Sequence, residues 1–413
     1  MGLDHIVVVG ASLAGLRAAE ALRREEFDGR LSLVGAEPHL PYDRPPLSKE
    51  VLAGERDPAE IELRRQGLDD LALDLHLGRR ATALDAGTRS VTLDDGTRLD
   101  GDGVVIATGA SARQLPGTPP LAGIHTLRTL DDCQAIRAAL DARPRVVVVG
   151  AGFIGCEVAQ TARKQGLDVT LIDIAPTPML PLGPQLGEWC AALHRDQGVD
   201  VRLRTGVAAL QGAGRIEAVE LTDGTRIGAD LVVVGMGAQP NTEWLADSGL
   251  QVTPGLECDA TLTAVGDPDI LGAGDIVSWP HPLAADEPIR IEHWTVAAEQ
   301  GQQAGRNVLL EAEERKPYDQ PPYFWSDQYD TKIQSLGLPG RAARLELLEA
   351  TEDGARFVYG GERDGRLVGV IAINAARRLG SYRMALADPP GFEDLRAGVA
   401  ADEKALGAPA RAA

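Results

Sequence analysis

Short apolar runs, each bounded by turn-forming residues, recur along the first two thirds of the chain. They are rich in Val, Ile and Leu, and they lie at 5–10, 31–35, 104–106, 146–149, 169–172 and 231–234. Such runs are typical of strands buried on both faces of a parallel sheet, and helix-like stretches such as 16–24 separate them. The pattern predicts an α/β fold.

The last third of the chain has a different pattern. Apolar and polar residues alternate at 345–348, 356–359 and 367–373, which predicts antiparallel strands in an α+β domain. The strand endings at 106–109 and 234–237 resemble each other and indicate a duplicated unit. We therefore expect three domains, and their boundaries are 1–112 together with 246–320, then 113–245, then 321–413.

Two glycine-rich turns follow strands that open βαβ units. The first contains Gly10, Ser12 and Gly15, and the second contains Gly150, Gly152 and Gly155. Glycines there allow a tight turn and let backbone N–H groups approach a pyrophosphate at a helix N-terminus. Each turn has an acid about 20 residues further on, at Glu37 and Asp173, suited to ribose hydroxyls. The alternative for each turn alone is an ordinary strand–helix connection, but two in one chain predict two bound dinucleotides, a nicotinamide and a flavin.

Two further short motifs strengthen this prediction. Ala107-Thr108-Gly109 ends an apolar strand, so that the backbone can pass close to a cofactor. In Gly272-Ala273-Gly274-Asp275 the carboxylate can bind the ribityl hydroxyls of a flavin. Each tripeptide is common by chance, whereas their order between and after the two glycine-rich turns is not.

Composition narrows the range of partners. The formal net charge of −20 argues against nucleic acid and anionic membranes. No apolar run approaches the ~18 residues of a membrane span, and the N-terminus lacks the pattern of a signal peptide. We expect a cytoplasmic protein. The 4 cysteines form no CxxC pair and the 7 histidines show no metal-ligand spacing, so no structural metal is expected.

The ordered motifs, together with Leu40–Lys49 and Tyr323–Tyr329, resemble the two-dinucleotide-binding flavoproteins. Within them the chain is most similar to the branch of NADH-dependent ferredoxin reductases (putidaredoxin reductase-like) that serve cytochromes P450 and Rieske oxygenases. The resemblance extends from residue 5 to about residue 390. It implies two Rossmann-like dinucleotide-binding domains in a glutathione-reductase-type fold, with FAD in the first, NADH in the second, and an α+β domain at the C-terminus.

The resemblance also implies which residues bind the cofactors. The FAD positions are Gly10, Ser12, Ala14, Gly15, Glu37, Arg44, Lys49, Ala81, Ala107, Thr108, Gly109, Arg128, Gly274, Asp275, Trp294 and Trp325. The NAD positions are Gly150, Gly152, Ile154, Gly155, Glu157, Asp173, Gly235 and Gly237. For Trp325 the alternative is a hydrophobic cluster at a domain junction.

Lys49 and Glu157 resemble the ion pair beside the flavin N5 edge and are the predicted catalytic residues. The alternatives are a surface lysine and a helix-N-terminus acid favoured by the dipole. Asp173 would accept from both ribose hydroxyls of NADH and repel a 2′-phosphate. Ile174 and Ala175 follow it and offer no arginine, so NADH is expected over NADPH.

Missing thiols restrict the electron acceptor. Disulfide reductases of this fold carry cysteines after the first βαβ unit, but residues 36–55 contain none. Electrons must then leave the flavin for an outside partner, expected to be an iron–sulfur ferredoxin. The alternatives are rubredoxin or quinone reduction, and an NADH-sensing flavoprotein related to apoptosis-inducing factor. The residues leave the oligomeric state open, with a monomer favoured by the resemblance.

An acidic ferredoxin would need a basic docking face on this acidic protein. The candidate cations for such a face are Arg64, Arg65, Lys332, Arg341 and Arg344.

Overall fold

The computed structural model describes residues 3–64, 68–388, 390–402 and 405–406. The chain divides into two compact units, each assembled from three segments. The first unit comprises Met1–Asp43, Ile61–Ser111 and Pro240–Phe324. The second unit comprises Arg44–Glu60, Ala112–Gln239 and Trp325–Ala413.

A five-stranded parallel sheet forms the centre of the first unit. In spatial order its strands are Ile270–Gly272, Gly103–Ile106, His5–Val9, Arg30–Gly35 and Asp74–Leu77. Ile6, Val7 and Val8 in the central strand are fully buried. A strand whose successive side chains all avoid water is covered on both faces, which explains the unbroken apolar run in the sequence.

Two helices of the first unit cross at very short distance. They are Leu13–Arg24, which follows the first glycine-rich turn, and Trp294–Asn307. A Cβ at Gly301 would lie 2.2 Å from the carbonyl oxygen of Ala14. Only glycine fits at this position. Because Gly301 has no side chain, the helix Trp294–Asn307 can pack directly against Ala14 at the start of the helix Leu13–Arg24.

Smaller sheets complete the first unit. In one antiparallel sheet Ala81–Asp85 pairs with Ser90–Leu93, and Ser90–Leu93 in turn pairs with Arg98–Asp100. The turn between the two closes through the Gly96 amide, which donates to the Leu93 carbonyl at 3.0 Å. A further sheet contains Leu256–Glu257, Val277–Pro280 and Pro288–Ile289.

The second unit repeats the parallel arrangement. In spatial order its strands are Asp200–Leu203, Val169–Asp173, Val146–Val149, Leu231–Val234 and Ile124–Thr126. An antiparallel sheet of Val207–Gly212, Ile216–Leu221 and Arg226–Gly228 packs its apolar residues against it. The duplicated pattern predicted from the two halves is therefore present in the fold.

The C-terminal part forms a five-stranded antiparallel sheet. In spatial order its strands are Tyr323–Gln328, Thr331–Gly337, Arg366–Ile373, Phe357–Arg363 and Arg344–Ala350. The three alternating segments predicted there are confirmed as strands, each longer than its apolar pattern. The predicted fold class, two Rossmann-like domains and a C-terminal α+β domain, is confirmed, whereas the domain boundaries stay a prediction.

The remaining elements are short or connect the sheets. The described residues contain eight α-helices, at Leu13–Arg24, Glu50–Ala53, Leu130–Leu140, Phe153–Lys164, Pro184–Asp196, Trp294–Asn307, Leu379–Ala387 and Phe392–Ala401. The remaining strands are Ala110–Ala112 and Ala238–Pro240. None of the helices in the described ranges has both the length and the apolar character needed to cross a bilayer.

Candidate dinucleotide sites

The first glycine-rich turn is shaped by close backbone contacts. Gly10 has a φ of +125°, and a Cβ there would lie 2.1 Å from the Ala107 carbonyl oxygen. A Cβ at Gly15 would lie 1.8 Å from the Gly10 carbonyl oxygen. The fold thus brings the predicted residues Gly10, Gly15 and Ala107 together, with the Ala107 amide donating to Val9 at 2.7 Å.

The Gly-Ala-Gly-Asp segment lies against the start of the same helix. Gly274 has a φ of +79°, and a Cβ there would lie 3.1 Å from the Cβ of Ala14. Its amide donates to Gln300 Oε1 at 2.9 Å, while the Asp275 carbonyl accepts from Arg290 at 2.9 Å. Asp275 therefore follows a turn held from both sides, at the helix N-terminus where an anionic cofactor would lie.

Other predicted FAD residues of the first unit are held by specific hydrogen bonds. Glu37 follows the strand Arg30–Gly35, and its Oε2 accepts from the Tyr42 hydroxyl at 2.5 Å. Trp294 begins its helix and donates from Nε1 to Asp43 Oδ1 at 2.6 Å. Thr108 donates to the Asn241 carbonyl at 3.1 Å, and Ala81 starts a strand as a buried residue.

His293 precedes Trp294 and is partly buried, with its Nδ1 atom shielded from solvent. Its Nδ1 has no hydrogen-bond partner in the described part of the chain, and its ring lies 4.9 Å from that of Phe324. Burial lowers the pKa of His293 to about 4, against the opposing effect of the Asp275 charge. The imidazole is therefore neutral at physiological pH, which agrees with a role in packing rather than in proton transfer.

The second glycine-rich turn repeats the geometry of the first. Gly150 has a φ of +104°, and a Cβ there would lie 2.3 Å from the Gly235 carbonyl oxygen. A Cβ at Gly155 would lie 1.9 Å from the Gly150 carbonyl oxygen, whereas positions next to Gly152 and Gly237 are open. Gly150 and Gly155, which touch the backbone, shape the turn. Gly152 and Gly237, which have no neighbour within 4 Å of a Cβ, leave room for a ligand at the helix N-terminus.

Exposed apolar side chains surround this open space. Ile154, Ile174 and Met236 are 44%, 77% and 39% exposed, and each follows the carboxyl end of a strand of the parallel sheet. Ligands of open α/β sheets bind at that edge. Ile154 was predicted from the resemblance; Ile174 and Met236 were not, although each directly follows a residue that was.

Asp173 is tied to the backbone around it. Its Oδ2 accepts from the Ala151 amide at 2.6 Å, and its Oδ1 accepts from the Ala175 amide at 2.7 Å. Each carboxylate oxygen has a second lone pair. Asp173 can thus hold the glycine-rich turn and still accept from a ribose hydroxyl.

A cleft of about 650 Å³ lies next to the loop after Asp173. Three arginines line it, and the sequence pattern does not place them near Asp173. They are Arg195, Arg202 and Arg204, and the cleft also includes Thr177 from the loop after Asp173. The Arg204 amide donates to the Ala175 carbonyl at 3.0 Å. Glu188 and Asp223 also line the cleft, and Arg202 pairs with Asp200 at 2.9 Å, so the cleft carries charges of both signs.

Lys49 and Glu157 form an ion pair within the second unit. Lys49 Nζ lies 2.8 Å from Glu157 Oε2, and the two side chains are 13% and 4% exposed. Ser48 Oγ also donates to Oε2, at 2.5 Å, and Ser326 Oγ donates to Oε1 at 2.7 Å. Three donors thus stabilise a buried carboxylate in the second turn of the helix Phe153–Lys164.

The two serines were not predicted. Ser48 directly precedes Lys49, and Ser326 directly follows Trp325, so both stand inside the motifs that carry the resemblance. Nothing in the local pattern shows that they converge on Glu157, which is more than 100 residues from each along the chain. Ser326 is buried and Trp325 is partly exposed, because successive side chains of a strand point to opposite faces.

Arg44 and Arg128 are also brought together. Arg44 donates from Nη1 to the Arg128 carbonyl at 2.5 Å. Thr129 and Asp132 form a capping box that begins the helix Leu130–Leu140, and the Arg128 amide donates to Asp132 Oδ2 at 3.0 Å. The capping box thus fixes the backbone of Arg128 at the start of this helix.

Three of the candidate docking cations make ion pairs within the units. Arg64 pairs with Asp70 at 2.8 Å, Lys332 with Asp327 at 2.5 Å, and Arg344 with Glu362 at 2.9 Å. Arg65 lies outside the described residues. The charges of Arg64, Lys332 and Arg344 are therefore partly neutralised, which weakens the case for a basic face built from these three described residues.

The geometry fits two dinucleotides. Each unit has a glycine-rich turn fixed by backbone contact, followed by an acid at the end of the next strand. These are the features that hold a pyrophosphate and a ribose. Glu157 lies on the helix Phe153–Lys164 that follows the second glycine-rich turn, where a nicotinamide would be expected, and Lys49, which precedes the short helix Glu50–Ala53, pairs with it.

Comparison with known proteins agrees with this geometry. Residues 4–301 match the model of the pyridine nucleotide-disulphide oxidoreductase family, and residues 323–405 match that of the reductase C-terminal domain. The ferredoxin–NAD⁺ reductase component of the anthranilate 1,2-dioxygenase system of Burkholderia cepacia is 37% identical, over 97% of this chain and 99% of the relative.

Two further relatives extend the comparison. The ferredoxin–NAD⁺ reductase component of the biphenyl dioxygenase system of Paraburkholderia xenovorans is 36% identical, over 91% of each chain. Putidaredoxin reductase, solved in covalent complex with putidaredoxin, superposes with a TM-score of 0.88 at 32% identity over 96% of each chain. The chain therefore belongs to the pyridine nucleotide-disulphide oxidoreductase family, within its FAD-dependent, NAD(H)-using ferredoxin reductases.

Proposed function

We propose that this protein takes a hydride from NADH onto FAD and passes single electrons to an iron–sulfur ferredoxin that serves an oxygenase. The observation that carries the proposal is the ion pair between Lys49 and the buried Glu157 of the helix Phe153–Lys164, in a chain without cysteines at residues 36–55. FAD supplies the conversion of a two-electron donor into a one-electron donor. The relatives named above, which are reductase components of dioxygenase systems, support a ferredoxin as acceptor.

The residues of the first unit would position FAD. Gly10, Gly15 and Gly274 let the backbone approach the pyrophosphate, and Glu37 and Asp275 would accept from hydroxyl groups. Contacts with neighbouring backbone and side-chain atoms fix these glycines, so the fold sets the shape of the turn. A preformed turn reduces the entropy lost when the cofactor binds.

In the second unit, Glu157 would hold Lys49 at a fixed place beside the flavin. Ser48 and Ser326 keep the carboxylate in one orientation, and the lysine supplies a positive charge where negative charge develops during hydride transfer. Asp173 would favour NADH through the ribose hydroxyls. A cytoplasmic location follows from NADH as donor, and it is part of this proposal.

An acceptor comparison tests the proposal. The FAD-loaded protein is supplied with NADH and offered putidaredoxin, a rubredoxin or a soluble quinone at equal concentration, and the rate of NADH oxidation is followed. We expect the ferredoxin to give the highest kcat/KM. A higher value with rubredoxin or quinone would assign the protein to that acceptor instead, and no turnover with any acceptor would favour an NADH-sensing role.

A further inference from the structure

Three metal-ligating side chains that the proposed function does not use lie together inside the second unit. They are Cys156, on the helix Phe153–Lys164, and Cys190 and His194, on the helix Pro184–Asp196. Their ligand atoms all lie within 4.8 Å of one another. All three residues are buried, at 0%, 1% and 0% exposure.

The fold, rather than a short motif, creates this group. Cys190 and His194 are four residues apart on one helix, so their side chains lie on the same face. Cys156 comes from another helix, 34 residues earlier than Cys190 in the sequence. This separation hides the cluster from a search for closely spaced ligands, so a metal here departs from the expectation of no structural metal drawn from the spacing of the histidines.

Hydrogen bonds join the cluster to its neighbours, and the Cys156 thiol donates to the Ala151 carbonyl at 3.5 Å. Gln328 Oε1 lies 3.0 Å from His194 Nε2 and 3.6 Å from Cys190 Sγ. The other imidazole nitrogen, Nδ1, lies 3.1 Å from the Tyr329 hydroxyl. The Tyr329 contact matches the polar group that fixes the second nitrogen of a metal-binding histidine, whereas Nε2 would exchange its hydrogen bond to Gln328 for the ion.

Simple packing is the competing explanation, because cysteine is often buried as a small apolar residue. Cys133 and Cys258 are also buried, and neither belongs to a comparable group in the described ranges. The cluster differs from them because it buries two sulfur atoms, an imidazole and an amide oxygen at one point. Two thiolates and a neutral imidazole would balance the charge of a divalent cation, so the ion could be buried without net charge.

We propose that Cys156, Cys190, His194 and Gln328 bind one Zn²⁺ ion as a structural site. In a tetrahedral zinc site the ligand atoms lie about 3.5–4 Å apart, which small side-chain movements reach from the present geometry. Binding replaces the two thiol protons, so that each Zn²⁺ ion that enters releases two protons and nothing is oxidised or reduced.

The ion would join three elements of the second unit. Cys156 directly precedes Glu157, so a bound ion would hold the part of the helix that carries the Lys49–Glu157 pair. Gln328 ends the strand Tyr323–Gln328, which also contributes Ser326 to that pair. Zn²⁺ would therefore act as a positioning and stabilising element and would not touch the reacting atoms.

Cobalt provides a direct test, because tetrahedral Co²⁺ bound to thiolates absorbs at 600–750 nm, where the oxidised flavin does not. The cluster is buried, so Co²⁺ is supplied in the growth medium and the FAD-loaded protein is purified. We expect about one Co²⁺ per chain and a visible band in that range. Cys156→Ser and Cys190→Ser should each lose the band and the bound metal, whereas Cys133→Ser, a buried thiol of the same unit outside the cluster, should retain both.

Metal content of the parent protein keeps the proposal testable if the serine variants fail to fold. Parent protein produced with added Zn²⁺ should contain about one Zn²⁺ per chain, with sulfur ligands visible by X-ray absorption. Parent protein that contains no zinc and no cobalt overturns the proposal, as does a cobalt band that persists in both Cys156→Ser and Cys190→Ser. None of these readouts depends on turnover, so failure here is distinct from failure of the proposed reductase function.

Discussion

At the scale of single residues, the interaction between Lys49 and Glu157 is the most informative feature. The resemblance predicted the two residues as a pair, and the structure places them 2.8 Å apart. Ser48 and Ser326 could not be predicted, because hydrogen bonds between residues more than 100 positions apart leave no local sequence signal. Their roles at a flavin stay predictions.

Replacing Lys49 tests the predicted role of the pair. Lys49→Met keeps the length of the side chain and removes its charge, leaving Glu157 with the two serine donors. We expect the rate of flavin reduction by NADH to fall about tenfold or more, since a charge aimed at the reacting centre is lost. The matched control is Lys164→Met, which changes an exposed lysine at the C-terminal end of the helix that carries Glu157. Equal rates in parent and Lys49→Met, at equal FAD content, would remove Lys49 from the catalytic site.

His293 predicts a dependence of stability on pH. Burial lowers the pKa of His293 to about 4, below the value of about 6.5 in an unfolded chain. Between these values the unfolded chain binds a proton that the folded chain does not, so the free energy of unfolding falls as the pH is lowered through this window. At most this loss is about 1.4 kcal/mol per pH unit for one group.

Thermal unfolding of the FAD-loaded protein between pH 7.5 and 5 measures the effect. His293→Phe keeps an aromatic ring next to Phe324 and removes the titrating group. We expect the melting temperature of the variant to fall less steeply with acidification than that of the parent. Burial also lowers the pKa values of His125 and His281, so some dependence should remain. Identical slopes in the two proteins would contradict the assignment.

At the scale of elements, the sequence predicts the parallel strands and the helix Leu13–Arg24 after the first glycine-rich turn. It does not predict the helix Trp294–Asn307 that crosses it. Val and Ile runs are strong signals for buried strands, and the glycine-rich turn marks the helix start. The helix Trp294–Asn307 has no such marker. Its glycines at 301 and 305 are explained only by the backbone of the helix Leu13–Arg24 against which they pack.

Gly301→Ala tests the importance of that crossing. The added methyl group would lie 2.2 Å from the Ala14 carbonyl oxygen, so the two helices must separate. Overpacking of this kind costs about 1–3 kcal/mol, and the displacement of Ala14 should weaken FAD retention. The control is Gly380→Ala, in the helix Leu379–Ala387, where no atom lies within 4 Å of the new Cβ. FAD content and melting temperature equal to those of the parent would show that the crossing tolerates a side chain.

At the scale of the whole molecule, the sequence predicts the family of the protein well but predicts the charge pattern of its surface poorly. The order of the motifs extends over nearly the whole chain, and the comparisons confirm the family. A docking face depends on which charges remain unpaired, and composition does not contain that information. Arg64, Lys332 and Arg344 illustrate the problem: Arg64 pairs with nearby Asp70, and Lys332 and Arg344 each pair with an acid on a neighbouring strand.

The same reasoning applies to the nucleotide preference. Asp173 was predicted from its distance after the second glycine-rich turn, whereas Arg195, Arg202 and Arg204 reach the neighbouring cleft from the following helix and strand. Their positions depend on the order of strands in the sheet. Because these arginines lie near the predicted ribose site, the preference for NADH over NADPH calls for a direct measurement.

Anaerobic stopped-flow mixing of the FAD-loaded protein with NADH, and separately with NADPH, tests the central claim most directly. The loss of flavin absorbance is followed over a range of nucleotide concentrations. We predict rapid reduction by NADH at far lower concentration than by NADPH, followed by reoxidation when ferredoxin is added. Absence of flavin reduction by either nucleotide on the timescale of turnover would contradict the reductase function, and equal reduction by both would contradict the role of Asp173.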